Sequence, residues 1–201
     1  MGWLEDAFRD PLASIGFRKR AGAIFTAEVA DEVLGWVGLN RASEHQPKGQ
    51  FEVNPVIGIR LQRVEREVAR LGSLHVHAYI PPTASSPLGY LIPEARYRFW
   101  ILKSPDGPPA AVQSVAEAIE TYGLPFIKSN SSPEAVVQLL DRRRLQPPEV
   151  YRIAVIRALL GRAADGDALL SEAAQGLGPR KDPAAYALRE FAEKFRESPP
   201  N

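Results

Sequence analysis

From Gln50 to Arg60 the chain reads QFEVNPVIGIR, and this run constrains the fold more than any other. Phe51, Val53, Pro55, Ile57 and Ile59 alternate with Gln50, Glu52, Asn54, Gly58 and Arg60, with Val56 the one exception. A period of two held over this length requires a β-strand with one face on a core. Pro55 has no N–H to give to a ladder, so the run predicts an edge strand, or one bulged at the proline. The chain has 201 residues, enough to bury such a core without staples.

The neighbouring patterns extend this strand into a sheet. Upstream, AIFTAEV and VLGWVGLN are rich in β-formers and are separated by Ala30-Asp31-Glu32, which predicts a hairpin. Downstream, LHVHAYI sets Leu74, Val76, Ala78 and Ile80 against His75, His77 and Tyr79, and RYRFWIL follows a proline-rich stretch; both predict strands. Helical spacing joins Leu4, Ala7, Phe8 and Leu12, with a break at Pro11 and a stop at Gly16. It also joins Leu61, Val64, Val68 and Leu71, with Arg63 and Glu67 paired at four-residue spacing and Gly72 as the cap. A third stripe, Val112, Val115, Ala116, Ile119 and Tyr122, ends at Gly123 with Pro125 beyond it.

The next helix opens at Ser132 with Pro133 in its first turn, or at Ser131 with Glu134 three residues on. Pro147-Pro148 reads as a linker, followed by helices over 149–160, 166–175 and 183–196, the last opened by Asp182-Pro183. The expected class is α+β: a mainly antiparallel sheet of about five strands with helices packed on one face, plus a C-terminal helical section. The expected division is a domain over 1–146 and a helical section over 147–201 docked on it.

Composition narrows the function classes. There is no cysteine, which removes disulfides, thiolate nucleophiles and zinc–thiolate sites. With 25 basic against 24 acidic residues the net charge is +1, which disfavours a duplex nucleic-acid binder. The start, MGWLEDAFRD, is acidic and amphipathic, unlike a signal peptide, and no apolar run reaches membrane-spanning length. A cytoplasmic protein without membrane contact is expected.

No GxSxG, Walker loop, dinucleotide fingerprint or HExxH occurs, so no catalytic residue is assigned and no cofactor is expected. His75 and His77, two apart on the expected strand, would project from one face about 7 Å apart and could share a metal if His45 or a carboxylate supplied a third ligand. A metal-dependent enzyme built on this pair is the alternative reading, and nucleic-acid binding comes third. Two basic clusters, Arg18-Lys19-Arg20 and Arg142-Arg143-Arg144, lack the interleaved aromatics of a single-strand platform.

The stretch HAYIPPTASSPLGYLIPE, residues 77–94, has four prolines and a glycine, so it reads as irregular, yet it is too apolar for disorder. Tyr79, Pro81, Pro82, Leu88, Tyr90 and Leu91 are therefore the expected partner-binding residues. A lid folded back over the protein's own core is the competing reading. The favoured function is a non-catalytic module that binds another protein.

LASIGFRKRAGAIFTAEV, VLGWVGLNRA, FEVNPVIGI and GLPFIKS together resemble the domain of unknown function 4304, a bacterial cytosolic family. In that family a Gly-Phe-basic turn feeds a β-meander, and a late Gly-Leu-Pro-Phe segment precedes a helix. The resemblance spans residues 12 to 145 and implies no established reaction, so it carries no catalytic residue to this chain. It implies a likeness of kind to the small immunity or antitoxin-like proteins of bacterial competition systems. The proline stretch and the helices after Pro148 depart from the family pattern.

Overall fold

A computed structural model describes residues 3–42, 47, 50–103, 109–141 and 146–200. In chain order the elements are α1 (Trp3–Ala7), α2 (Arg9–Ser14), β1 (Arg18–Lys19), β2 (Ile24–Ala30), β3 (Val33–Ala42), β4 (Gln50–Leu61) and α3 (Gln62–Leu71). Then come β5 (Ala84–Pro87), a 3-10 turn (Leu88–Tyr90) and β6 (Trp100–Lys103). The rest is helical: α4 (Pro109–Ala118), a π turn (Ile119–Gly123), α5 (Leu124–Ser129), α6 (Pro133–Asp141), α7 (Pro147–Leu159), α8 (Ala163–Gly176) and α9 (Pro183–Glu197). The fold is α+β with an antiparallel sheet, in two compact units: 1–60 with 84–131, and 61–83 with 132–201. These units do not follow a division at 146/147, because α3 and α6 group with α7–α9.

In the first unit the sheet runs β1-β2-β3-β4-β5, with β6 also paired to β4. The β2–β3 hairpin forms as expected: Ala30 pairs with Val33, and Glu32 takes a positive φ of 55° to close the turn. The expected edge position of Gln50–Arg60 is corrected, since β4 lies inside the sheet. Its Val56–Ile59 segment pairs with β5 and its Gln50–Val53 segment with β6. Asn54 and Pro55 stand opposite neither strand, so the missing N–H of Pro55 breaks no bond to them. The proline stretch is not wholly irregular either: Ala84–Pro87 is the β5 strand. Conversely LHVHAYI forms no strand; Leu74 and Val76, expected to face a core, are exposed.

Phe25, Val37, Leu39, Val53 and Ile57 of the sheet pack with Phe8, Leu12, Val112, Val115, Ile119 and Ile127 in one apolar cluster. Each such fully buried side chain contributes roughly 1.5–3 kcal/mol. The break between the first two helices comes at Phe8 rather than Pro11, which sits in the first turn of α2, where an N–H would have no helical partner anyway. Gly16, at φ 92°, ends α2: its N–H and that of Phe17 donate to the Ala13 and Leu12 carbonyls at 3.0 and 2.9 Å.

Gly123 does not stop a helix. The backbone continues through it into α5, so GLPFIKS is itself helical rather than the approach to a helix. Pro125 would clash with the carbonyl four residues back, and the wider π turn over Ile119–Gly123 relieves that conflict. Gly123 instead permits close packing, since a Cβ there would lie 3.3 Å from Ile57 of β4.

In the second unit α7 packs on α3, α6, α8 and α9. Gly166 of α8 lies so close to α7 that a Cβ would sit 2.7 Å from the Ala154 carbonyl oxygen. Tyr151 and Phe191 stack at 4.2 Å. Glu65 of α3 receives a two-pronged hydrogen bond from Arg152 of α7, at 2.8 and 3.3 Å, with both side chains largely buried. Pro147-Pro148 is no linker: the prolines are the first turn of α7, whose Gln146 and Glu149 form a reciprocal cap. Of the two registers for α6, the Ser132 one holds, its hydroxyl accepting from Ala135 N–H at 3.2 Å.

At the end of α3 the left-handed residue is Ser73, φ 52°, rather than Gly72. Glu67 pairs there with Arg70, at 2.7 Å. No helix among the described residues is long and apolar enough to cross a membrane.

Candidate partner-binding surface

The six residues expected to bind a partner fall into both units. In the second, Tyr79 and Pro82 are half-buried and Pro81 is exposed. In the first, Leu88 is 0% exposed and belongs to the core cluster, Leu91 packs against that cluster, and Tyr90 is 50% exposed. Leu88 is therefore corrected from contact residue to core residue. The cause is local: β5 docks on β4 and the 3-10 turn then drops Leu88 inward, with Leu91 N–H donating to its carbonyl at 2.9 Å. Gly89 lets residues 96–98 lie directly on this turn, because a Cβ would come within 2.7 Å of Arg98 N. Arg96 N–H then donates to the Gly89 carbonyl at 3.1 Å. For Leu88, Leu91 and Ile92 the lid reading describes what the stretch does.

The histidine pair loses its premise, since residues 74–80 are not a strand and do not share a face in the expected way. His75 is exposed; His77 is half-buried, packs edge-on against Tyr79 at 4.5 Å and accepts the Tyr79 N–H on Nδ1 at 3.3 Å. Among the described residues no three His, Cys, Asp or Glu are grouped to hold a metal, and His45 lies outside them. Of the basic clusters, Lys19 reaches Asp6 at 3.5 Å and Arg20 donates to the buried Thr26 hydroxyl at 2.8 Å. Arg142-Arg143-Arg144 lies outside the described residues.

A surface the sequence reading passed over lies just beyond the lid. Trp100 and Leu102 of β6, opposite Val53 and Phe51, point into the core. Ile101, between them, points the other way by strand alternation and is 47% exposed, and Tyr97 and Phe99, in the irregular segment just before β6, are 56% and 40% exposed. The Tyr97 and Phe99 rings sit 6.2 Å apart, tilted by 53°. Tyr97 also borders a depression of about 190 Å³ with Asn40, Arg41, Ala42, Glu52 and Asn54. The Asn54 Oδ1 is buried there without a hydrogen-bond partner among the described residues. The available signal was FWIL within RYRFWIL: these four residues are apolar on both faces, whereas an antiparallel strand at the margin of a sheet buries one.

Other hollows offer less. A groove of about 320 Å³ between α8 and α9 is lined by Arg189 and Arg196, among others. Arg189 donates to the Arg180 and Gly178 carbonyls, and Arg196 to Asp167 and Ser171, so both are engaged in holding helices together. Burial raises the Tyr151 phenol above its ordinary pKa. The hydrogen bond from Arg180, then that from Ala185 N–H, holds Asp182 below the usual carboxylate range. Both groups serve the helical framework. No family model matches the chain, and neither a curated protein nor a solved structure does.

Proposed function

We propose that this chain is a non-catalytic protein-binding module, of the immunity or antitoxin-like kind, whose contact surface is the group Tyr97, Phe99 and Ile101. The observation that carries this reading is that group: three large apolar side chains at alternate positions over 97–101, each at least 40% exposed. Single exposed apolar residues are ordinary, but a contiguous group with two aromatics is the composition of an interface centre. Tyr90, half-exposed at the turn against which residues 96–98 lie, is placed in the same segment of the first unit.

The test is capture from a lysate of the native host, comparing wild type with a Tyr97→Ser, Phe99→Ser, Ile101→Ser triple variant of unchanged circular dichroism. A partner held by wild type and lost by the variant supports the reading. Identical capture by both, or none by either, overturns it.

A further inference from the structure

Residues 95–103 read ARYRFWILK, three cations and no carboxylate. Arg96, Arg98 and Lys103 are all exposed, and none forms an ion pair among the described residues. Arg41, on the rim of the depression beside Tyr97, is likewise exposed and forms no ion pair among the described residues. The Arg98 guanidinium rests 4.9 Å above the Trp100 ring, which fixes its direction without neutralising it. Glu94 precedes this stretch, exposed, and Glu52 lies opposite Ile101 with contacts of its own.

The same segment carries an open main-chain edge. In the sheet β6 pairs with β4, and no second strand flanks it among the described residues. An antiparallel strand turns alternate N–H and C=O groups to each side, so the outer side of β6 presents an unfilled ladder. The other margins of the sheet are better guarded, β1 by being two residues long and β5 by ending in Pro87.

We infer, on the basis of the protein-binding reading above, that the partner contributes an acidic extended segment that adds to the outer edge of β6. Cross-strand neighbours decide its chemistry. Beside the exposed Phe99 and Ile101 its residues are apolar. Its acidic residues lie towards its ends, where Asp or Glu would reach Lys103 in β6 and Arg96 and Arg98 just before it, cations that form no ion pair among the described residues. A second copy of this chain is disfavoured, because edge-to-edge pairing would bring these cations face to face. Single-stranded nucleic acid uses the anionic charge but cannot ladder with a peptide edge, and the tilted Tyr97–Phe99 pair is no parallel stacking platform.

The probe is a short fluorescein-labelled peptide alternating Glu and Val, compared by anisotropy with a Lys/Val peptide, a Glu/Val peptide broken by prolines, and oligothymidylate. Wild type binds the Glu/Val peptide in a salt-dependent way. An Arg96→Glu, Arg98→Glu variant loses about tenfold or more, as attractive pairs turned repulsive would, and gains affinity for the Lys/Val peptide.

Absence of Glu/Val binding, equal binding of the proline-broken peptide, or tighter binding of oligothymidylate lost in the same variant would each overturn the inference. If any of these occurs while the triple serine variant still loses its partner, the protein-binding reading stands and the acidic-strand partner falls. If that variant also keeps its partner, both fall.

Discussion

Charge is handled differently in two regions of this molecule. Among α3 and α7–α9, Arg70, Arg152, Arg162, Arg180, Lys194 and Arg196 each meet a carboxylate at 2.6 to 2.8 Å. Along 95–103, Arg96, Arg98 and Lys103 meet none among the described residues, and their neighbours Tyr97, Phe99 and Ile101 are apolar and exposed. Most exposed ion pairs add little stability one at a time, so the contrast matters less for folding than for what each surface leaves unsatisfied. Those six cations have their counter-charges within the helical region; the β6 segment holds cations and apolar area together, where another molecule can reach them.

The sharpest way to break the comparison is to unpair the helical side. Glu65→Ala leaves the Arg152 guanidinium buried without its counter-charge and is expected to cost about 3–5 kcal/mol in urea denaturation. A loss below about 1 kcal/mol would mean that the pair is solvated like its exposed counterparts, and that the contrast is one of position only.

A second test separates core from surface within one short stretch. Leu88→Ala is expected to lose about 2–5 kcal/mol, as a fully buried leucine does, whereas Tyr97→Ser changes stability by no more than about 0.5 kcal/mol. Equal losses would erase the distinction between lid and displayed surface.

The smallest effect concerns Asp182, the cap of α9, which accepts from Ala185 N–H at 3.2 Å. Its carboxyl is held low in the folded state, chiefly by Arg180. The stabilisation is therefore present in full above the ordinary carboxylate pKa and is lost as pH falls through the lowered folded value. Asp182→Asn keeps a capping oxygen but should remove this part of the acid dependence, seen as a flatter dependence of Tm on pH below the ordinary carboxylate range. An unchanged slope would show that the Arg180 contact does not persist in solution.

Much of the fold was legible because its signals were local. The β2–β3 hairpin, the α9 start at Asp182-Pro183, the Gly16 stop and the alternation of β4 all depend on neighbours in sequence. What was misread depended on partners far along the chain. Pro55 looked like an edge marker because sequence alone cannot show β5 and β6 pairing on either side of it. Gly123 looked like a stop because its packing against Ile57 and the π turn ahead of Pro125 are tertiary facts.

The candidate site was legible to a lesser degree. The expected loop was close to the displayed surface, but Leu88 and Ile92 were apolar because they fill the protein's own core. The doubly apolar FWIL, residues 99–102, was the better clue. His75 and His77 failed as a pair because alternation along 74–80 was not accompanied by any strand to pair with.

Amide hydrogen exchange on the complex captured from the host tests the central claim most directly, since it reports every segment at once. The account predicts new protection at alternate amides of Trp100–Lys103 on partner binding, with the helical unit over 61–83 and 132–201 unchanged. Protection that appears on the helices and leaves Trp100–Lys103 exchanging as in the free protein would contradict it.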